Sequence, residues 1–243
     1  MSERSVRVLE LVARAAAHRG GAVDIRDVCA AAVAALPVDG AGVSTMVTPA
    51  LRHVLHFTDR ISGELEELQL TLGEGPCADA VRWGVPVLSG DLSAADLHER
   101  WPAFAPAAQA AGAGALFALP LAGGSGGVLD LYSARNGRLE ADTLADALAF
   151  AATAGTLLLS PAAGISVQGS GAMEEVLGFD QYRAEIDQAV GMISEQMGVS
   201  IDEAAVRLRA QAYTHGRNLA DVSVEVVARR LRFDPDGTPR VRT

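Results

Sequence analysis

Apolar positions in the first twenty residues recur at helical spacing, with Val8, Leu9, Val12 and Ala16 on one stripe, until Gly20-Gly21 stops them. Asp24 then caps a second helical pattern that ends near Pro37. From Gly40 the period changes. Residues 41–48 and 52–58 are rich in strand formers, are separated by Pro49-Ala50, and predict paired strands. Residues 61–70 read as a short helix or extended segment, Gly73-Glu-Gly-Pro-Cys77 as a turn, and residues 85–88 as a short strand. An apolar run at 115–121, a glycine turn at 123–127 and a second apolar run at 128–133 predict a hairpin. A long helix over 140–159 follows, with Ala145, Leu148, Ala149, Ala152 and Thr156 on one side.

The order helix, helix, strands, helix, strands, helix predicts an α+β domain built on an antiparallel sheet covered by helices. Residues 161–171 are small, uncharged and rich in Gly and Ser, and mark a linker after a first domain of 1–160. Beyond it only helical periodicity remains. Ile186, Ala189, Val190, Ile193 and Met197 mark a helix over 173–197. Ser200-x-x-Glu203 is a capping box for a helix carrying Ile201, Ala205, Leu208 and Ala212. Leu219, Val222, Val226 and Leu231 mark a third helix, 218–233. The second domain is thus an all-α, three-helix unit over 172–235, with a flexible tail over 236–243. So small a unit has a thin core, which predicts a homodimer formed through the helix 173–197.

Composition narrows the functional classes. With 243 residues, 49% of them hydrophobic and 21% charged, the chain has ample material for buried cores. The apolar run 144–160 carries Asp146 and many alanines, so no membrane span is expected. The N-terminal segment has Arg14, His18 and Arg19 inside it and lacks a signal-peptide core, which points to the cytoplasm. Two cysteines, Cys29 and Cys77, make neither a disulfide framework nor a thiolate zinc site. All 20 basic residues are arginine, and the net charge of −10 disfavours non-specific nucleic-acid binding. That acidity belongs to the first part: residues 1–179 hold 11 Arg against 20 acids, residues 180–243 hold 9 Arg against 10.

Catalytic patterns are absent from the sequence. There is no Gly-x-Ser-x-Gly elbow, no His-Glu-x-x-His and no phosphate-cradling Gly-x-x-x-x-Gly-Lys. His53 and His56 fall on opposite faces of a strand, so a shared metal site is not expected, and Glu64, Glu66 and Glu67 read as a solvated helix face. No enzyme activity, metal or cofactor is expected. Cys77, after its Gly-Glu-Gly-Pro turn, reads either as a small buried hydrophobe or as a redox-sensitive or chromophore-bearing thiol.

Two resemblances organise these observations. Arg183-Ala-Glu-Ile186-Asp-Gln188-Ala189-Val-Gly191, then Gly198-Val-Ser200-Ile-Asp-Glu203, Leu208-Arg209, Ala212, and Arg217-Asn-Leu219-Ala-Asp221-Val222 together resemble the ANTAR domain, a three-helix RNA-binding module. The resemblance implies binding to RNA stem-loops near transcription terminators, hence antitermination. Candidate RNA-binding residues are Arg183, Gln188, Gly191, Arg207, Arg209, Tyr213, Arg217, Asn218, Arg229 and Arg230, with Arg232, Arg240 and Arg242 as further positive charge. Val190 stands where the family usually has lysine, a departure that removes one phosphate-binding charge.

Residues 20–160 resemble the GAF domain, a small-molecule-sensing α+β fold, through Gly73-Glu-Gly-Pro-Cys77-Ala-Asp79, Pro86-Val87, Asp91-Leu92, Trp101-Pro102-Ala-Phe104 and Leu119-Pro120-Leu121. This resemblance implies a signal ligand of unspecified chemistry, with Cys77, Trp101 and Phe117 as candidate sensor residues. The combined expectation is a sensor-coupled RNA-binding regulator. A protein-interaction module using the same three helices without RNA is the competing class, and a DNA-binding helix-turn-helix a third.

Overall fold

The computed structural model describes residues 2–48, 50–124, 126–159 and 173–241; the linker assigned to 161–171 and Arg242 lie outside the described residues. The chain divides into two compact units, the first comprising residues 1–45, 54–69 and 74–165, the second residues 46–53, 70–73 and 166–243.

The first unit opens with α1 (Glu3–Arg19) and α2 (Ile25–Ala35). Ser2 caps α1 by accepting from the Ser5 N–H at 3.2 Å. Asp24 and Asp27 form a reciprocal capping box on α2, and the Arg19 guanidinium clamps Asp27 with two hydrogen bonds of 2.9 and 2.8 Å. Five strands follow: β1 (Gly40–Thr48), β2 (Leu51–Phe57), β3 (Val87–Ser89), β4 (Ala115–Pro120) and β5 (Gly127–Ser133). They form one sheet in the order β2-β1-β5-β4-β3. β5 is central, antiparallel to β1 with Val43 opposite Leu129, and antiparallel to β4 with Phe117 opposite Leu131. Between β2 and β3 lie α3 (Arg60–Leu72) and α4 (Pro76–Trp83). Between β3 and β4 lie α5 (Ala95–Arg100) and α6 (Phe104–Ala111), and α7 (Ala141–Leu159) ends the unit.

Strand alternation separates the two faces of this sheet. Ala41, Val43, Phe117, Leu119, Leu129 and Leu131 pack with α1, α2 and α7 in one apolar cluster. The face of α7 in that cluster is Ala147, Phe150, Ala151 and Ala154, whereas Leu148 and Thr156, on the side that the spacing groups together, are exposed. The helix is alanine-rich all round, so periodicity does not single out a stripe, and the bulk of Phe150 decides which side is buried. By length and composition alone α7 would suffice to cross a membrane; here that buried face serves as the lid of the apolar cluster.

The second unit holds α8 (Met173–Met197), α9 (Ile201–Thr214) and α10 (Leu219–Val227), followed by β6 (Leu231–Phe233) and β7 (Pro239–Val241). Ile186, Ala189, Val190 and Ile193 of α8 are buried with Ala205, Leu208 and Ala212 of α9 and Leu219, Val222 and Val226 of α10. Ile201, placed on the seam by its spacing, is exposed instead, and Ala204 takes its place. The third helix also ends earlier than its apolar spacing predicts. Arg229 adopts the left-handed conformation (φ 61°), the Arg230 N–H closes on the Glu225 carbonyl at 2.9 Å, and the chain leaves the helix. Leu231 and Phe233 are buried from a strand rather than from a helix. β7 pairs with it antiparallel, so residues 239–241 are sheet where the sequence suggested a flexible tail. The reversal is Asp234-Pro-Asp-Gly237, with the Gly237 N–H donating to the Asp234 carbonyl at 2.8 Å.

Candidate sensor core and nucleic-acid interface

In the first unit the Gly73-Glu-Gly-Pro-Cys77 turn is the hub of a hydrogen-bond network. Glu74 Oε1 accepts from the Ala103 and Phe104 N–H groups, 2.7 Å each, so its carboxylate caps the N-terminus of α6. Gly75 sits at φ 123°, and a Cβ there would lie 2.8 Å from the Gln69 amide oxygen, so only glycine fits. The same oxygen accepts from the Cys77 N–H at 2.7 Å, while Gln69 Nε2 donates to Asp130 Oδ2 at 2.9 Å. Cys77 is fully buried, its Sγ 3.5 Å from Ser44 Oγ.

These contacts belong to a polar layer on the sheet face opposite the apolar cluster. Ser44 from β1, Asp130 from β5, Glu66 and Gln69 from α3 and Cys77 from α4 are all buried there. Glu66 is only 1% exposed. It therefore does not belong to the solvated face that the run of glutamates suggested, and a Cβ on Gly42 would overlap its carboxylate. Tyr132, also on β5, donates its hydroxyl to Asp59 at 3.0 Å, and burial with that hydrogen bond pushes the phenol pKa up.

The three candidate sensor residues are not brought together. Trp101 is buried at the end of α5, its indole N–H donating to Asp79 Oδ2 at 2.9 Å, with its ring edge-on to Phe104. Arg100 donates to the same carboxylate at 2.8 Å, and its guanidinium carbon lies 4.5 Å from the Trp83 ring centre and 4.6 Å from that of Trp101. The motif residues Asp79, Trp101 and Phe104 thus lock the α4–α6 segment. Phe117 lies in the apolar cluster on the other face of the sheet, away from Cys77. Sequence periodicity missed the carboxylates Glu66 and Asp130, and a Gly two positions before Ser44 on a strand was the available hint of a close neighbour.

In the second unit the RNA candidates sit mostly at the surface. Gln188 and Gly191, three residues apart on α8, are exposed on one stripe, and no atom lies within 4 Å of a Cβ placed on Gly191. Arg183 is half-buried on the same helix. On α9, Tyr213 is 61% exposed and Arg207 pairs with Glu203 at 2.8 Å. That pairing takes the glutamate of the expected capping box, so Ser200 caps the helix through the Glu203 N–H. Arg209 is half-buried, and burial lowers its pKa. Asn218 accepts from the Asp221 N–H at 2.7 Å as the cap of α10. Arg217 and Arg230 converge on Glu225, at 4.0 and 3.0 Å, and Arg229 is exposed beside them. Val190 is buried, so an apolar residue serves the core at the position where the ANTAR resemblance leads one to expect lysine.

Comparison with known proteins gives the second unit a family. Residues 181–227 match the model of the ANTAR domain, a segment that takes in the end of α8, all of α9 and α10, and stops before β6. No curated protein sequence matches the chain. Among solved structures, the GAF domain of a phosphoenolpyruvate-protein phosphotransferase from Coxiella burnetii aligns over 64% of this chain and 94% of its own, with TM-score 0.44 and 14% identity. The corresponding Acinetobacter GAF domain aligns over 70% and 99%, with TM-score 0.45 and 13% identity. A type II free methionine-R-sulfoxide reductase from Thermoplasma acidophilum aligns over 61% and 94%, with TM-score 0.43 and 16% identity.

Proposed function

We propose, from the ANTAR domain that residues 181–227 form, that the chain is a transcription antitermination regulator whose first unit senses a signal and whose second unit binds RNA stem-loops. The family match is the observation that carries the reading. The surface of the unit supports it. An exposed stripe with Gln188 and a bare Gly191, the arginines at 207, 217, 229 and 230, and the open ring of Tyr213 offer hydrogen bonds, positive charge and a stacking face. Those are the contacts that unpaired loop nucleotides and their phosphates accept. Such charge acts locally, since the chain as a whole is acidic.

For the first unit we propose a GAF-type sensor whose ligand is read by the polar layer of Ser44, Glu66, Gln69, Cys77 and Asp130, on the sheet face opposite the apolar cluster. The locked Asp79–Trp101–Arg100 segment is the frame of that layer, so Trp101 positions rather than binds. Two chains joined as a homodimer in the cytoplasm would hold two RNA-binding units at high effective concentration, suited to paired stem-loops. A protein-interaction module without RNA contact is the alternative class.

Transcription through a terminator tests the function. A template carrying a leader with two stem-loops ahead of its terminator, drawn from the genome that encodes the chain, is transcribed with and without the purified protein. Read-through is expected to rise with protein concentration and to be lost when the loop sequences are scrambled. Termination unchanged by saturating protein would contradict antitermination.

A further inference from the structure

The hairpin β6–β7 lies beyond the segment that matches the ANTAR model, and it is the most basic stretch of the chain: residues 228–243 hold five arginines against two aspartates in a molecule of net charge −10. Arg232 on β6 and Arg240 on β7 are directly opposite each other in the register, and both are exposed. Like charges facing across two strands repel, so the pair costs stability unless an anion lies between them. Arg240 is held by Asp234 at 2.5 Å, but Arg232 has no ion pair among the described residues.

Beside the pair is a cleft of about 380 Å³, lined by Gln196, Arg232, Phe233, Asp234, Pro235 and Arg240. Its chemistry is mixed in a definite way. The two guanidinium groups supply charge. Gln196 spends Oε1 on the Phe233 N–H at 2.8 Å and keeps its amide hydrogens to donate, and the Asp234 carboxylate accepts. Pro235 supplies an exposed apolar wall over the buried Phe233, and the Arg207 guanidinium lies close to the turn at Gly237. We infer that this cleft is a binding site for one unpaired nucleotide of an RNA loop, with its phosphate on Arg232 and Arg240 and its base against Pro235 and the Gln196 amide. Resting on the RNA-binding reading above, the inference extends that interface past the three helices to the C-terminal hairpin.

The test uses the full chain, the double variant Arg232→Ala/Arg240→Ala and the charge-retaining Arg232→Lys/Arg240→Lys. The probes are the stem-loop most enriched by the wild-type chain from a library with one stem and a randomised loop, and the same stem closed as a blunt duplex. Both arginines are exposed, so unchanged thermal melting checks that the variants fold. The alanine variant is expected to lose about tenfold or more in affinity for the stem-loop, to show a salt slope smaller by about one, and to bind the duplex nearly as wild type does. The lysine variant should fall between, because an ammonium keeps charge but not the two-pronged contact. Wild-type affinity in the alanine variant, or an equal loss on stem-loop and duplex, would overturn the nucleotide site while leaving the RNA-binding reading intact. Failure of the wild-type chain itself to enrich any stem-loop over the duplex would overturn both.

Discussion

His56 on β2 is half-buried, and its pKa is lowered to about 4, first by burial and then by the nearby Arg26 charge, against the opposing pull of Asp24 and Asp27. The imidazole is therefore neutral in the folded chain across the physiological range. Between pH 6.5 and about 4 the unfolded chain takes up a proton there that the folded chain refuses, so unfolding becomes easier as pH falls through that window. Above pH 6.5 the effect vanishes, since both states are then neutral. Denaturant melts of the wild type and of His56→Gln at pH 7 and pH 4.5 should show the variant losing less stability on acidification, by roughly 1–2 kcal/mol. Equal losses would mean that the ring is solvated in the folded state. Glu66 teaches the same lesson about context. Its neighbours Glu64 and Glu67 suggest a wet helix face, yet one turn of helix is enough to carry Glu66 under the sheet beside Gly42. Nothing local to α3 marks the difference, because the partner that buries Glu66 is more than twenty positions away in the chain. Trp101 and Asp79 were legible as a motif but not as a pair; only the fold shows that the indole N–H is consumed by a carboxylate of α4.

Among the elements, α8 carries a glycine where a helix prefers alanine. Gly191 lies mid-helix, exposed, with open space where a side chain would stand, so packing gives no reason for it. Gly191→Ala should raise the melting temperature of the second unit, in line with a helix-propensity gain of about 1 kcal/mol, and at the same time weaken stem-loop binding. A variant both more stable and equally tight on RNA would show that the bare stripe is not part of the interface. Elements with strong local signals were readable from sequence: the Asp24 cap, the β4–β5 hairpin with its glycine turn and the helix 173–197 all appear where spacing placed them. Two were not. The core face of α7 is not legible from spacing, because an alanine-rich helix has apolar residues on every side. Apolar spacing carries the third helix on to Phe233, since Leu231 continues the helical period as well as it fills a strand; the stop lies in the left-handed Arg229, a conformation with no residue-type marker. The Asp234-Pro-Asp-Gly turn is a local signal for β6–β7, but strands of three residues are too short to show an alternating pattern beside it.

For the whole molecule, the α+β unit followed by a three-helix unit follows from the shift in hydrophobic period along the chain. Its chemistry divides in the same way, with a buried polar layer in the first unit and exposed arginines, glutamine and tyrosine in the second. A regulator built so would hold its signal in a closed interior and present its output at the surface, with a coupling free energy to be sought between them. That coupling matters only if the output is RNA. The most direct measurement is therefore a titration of the purified chain against a paired stem-loop RNA from the leaders of its own genome, at several salt concentrations, beside a loop-scrambled control of equal length and charge. The expected result is tight binding to the native loops with a modest salt slope, and at least about tenfold weaker binding to the control. Equal affinity for native and scrambled loops, with a steep salt slope common to both, would contradict sequence-selective RNA recognition and turn the three helices into a surface for protein partners.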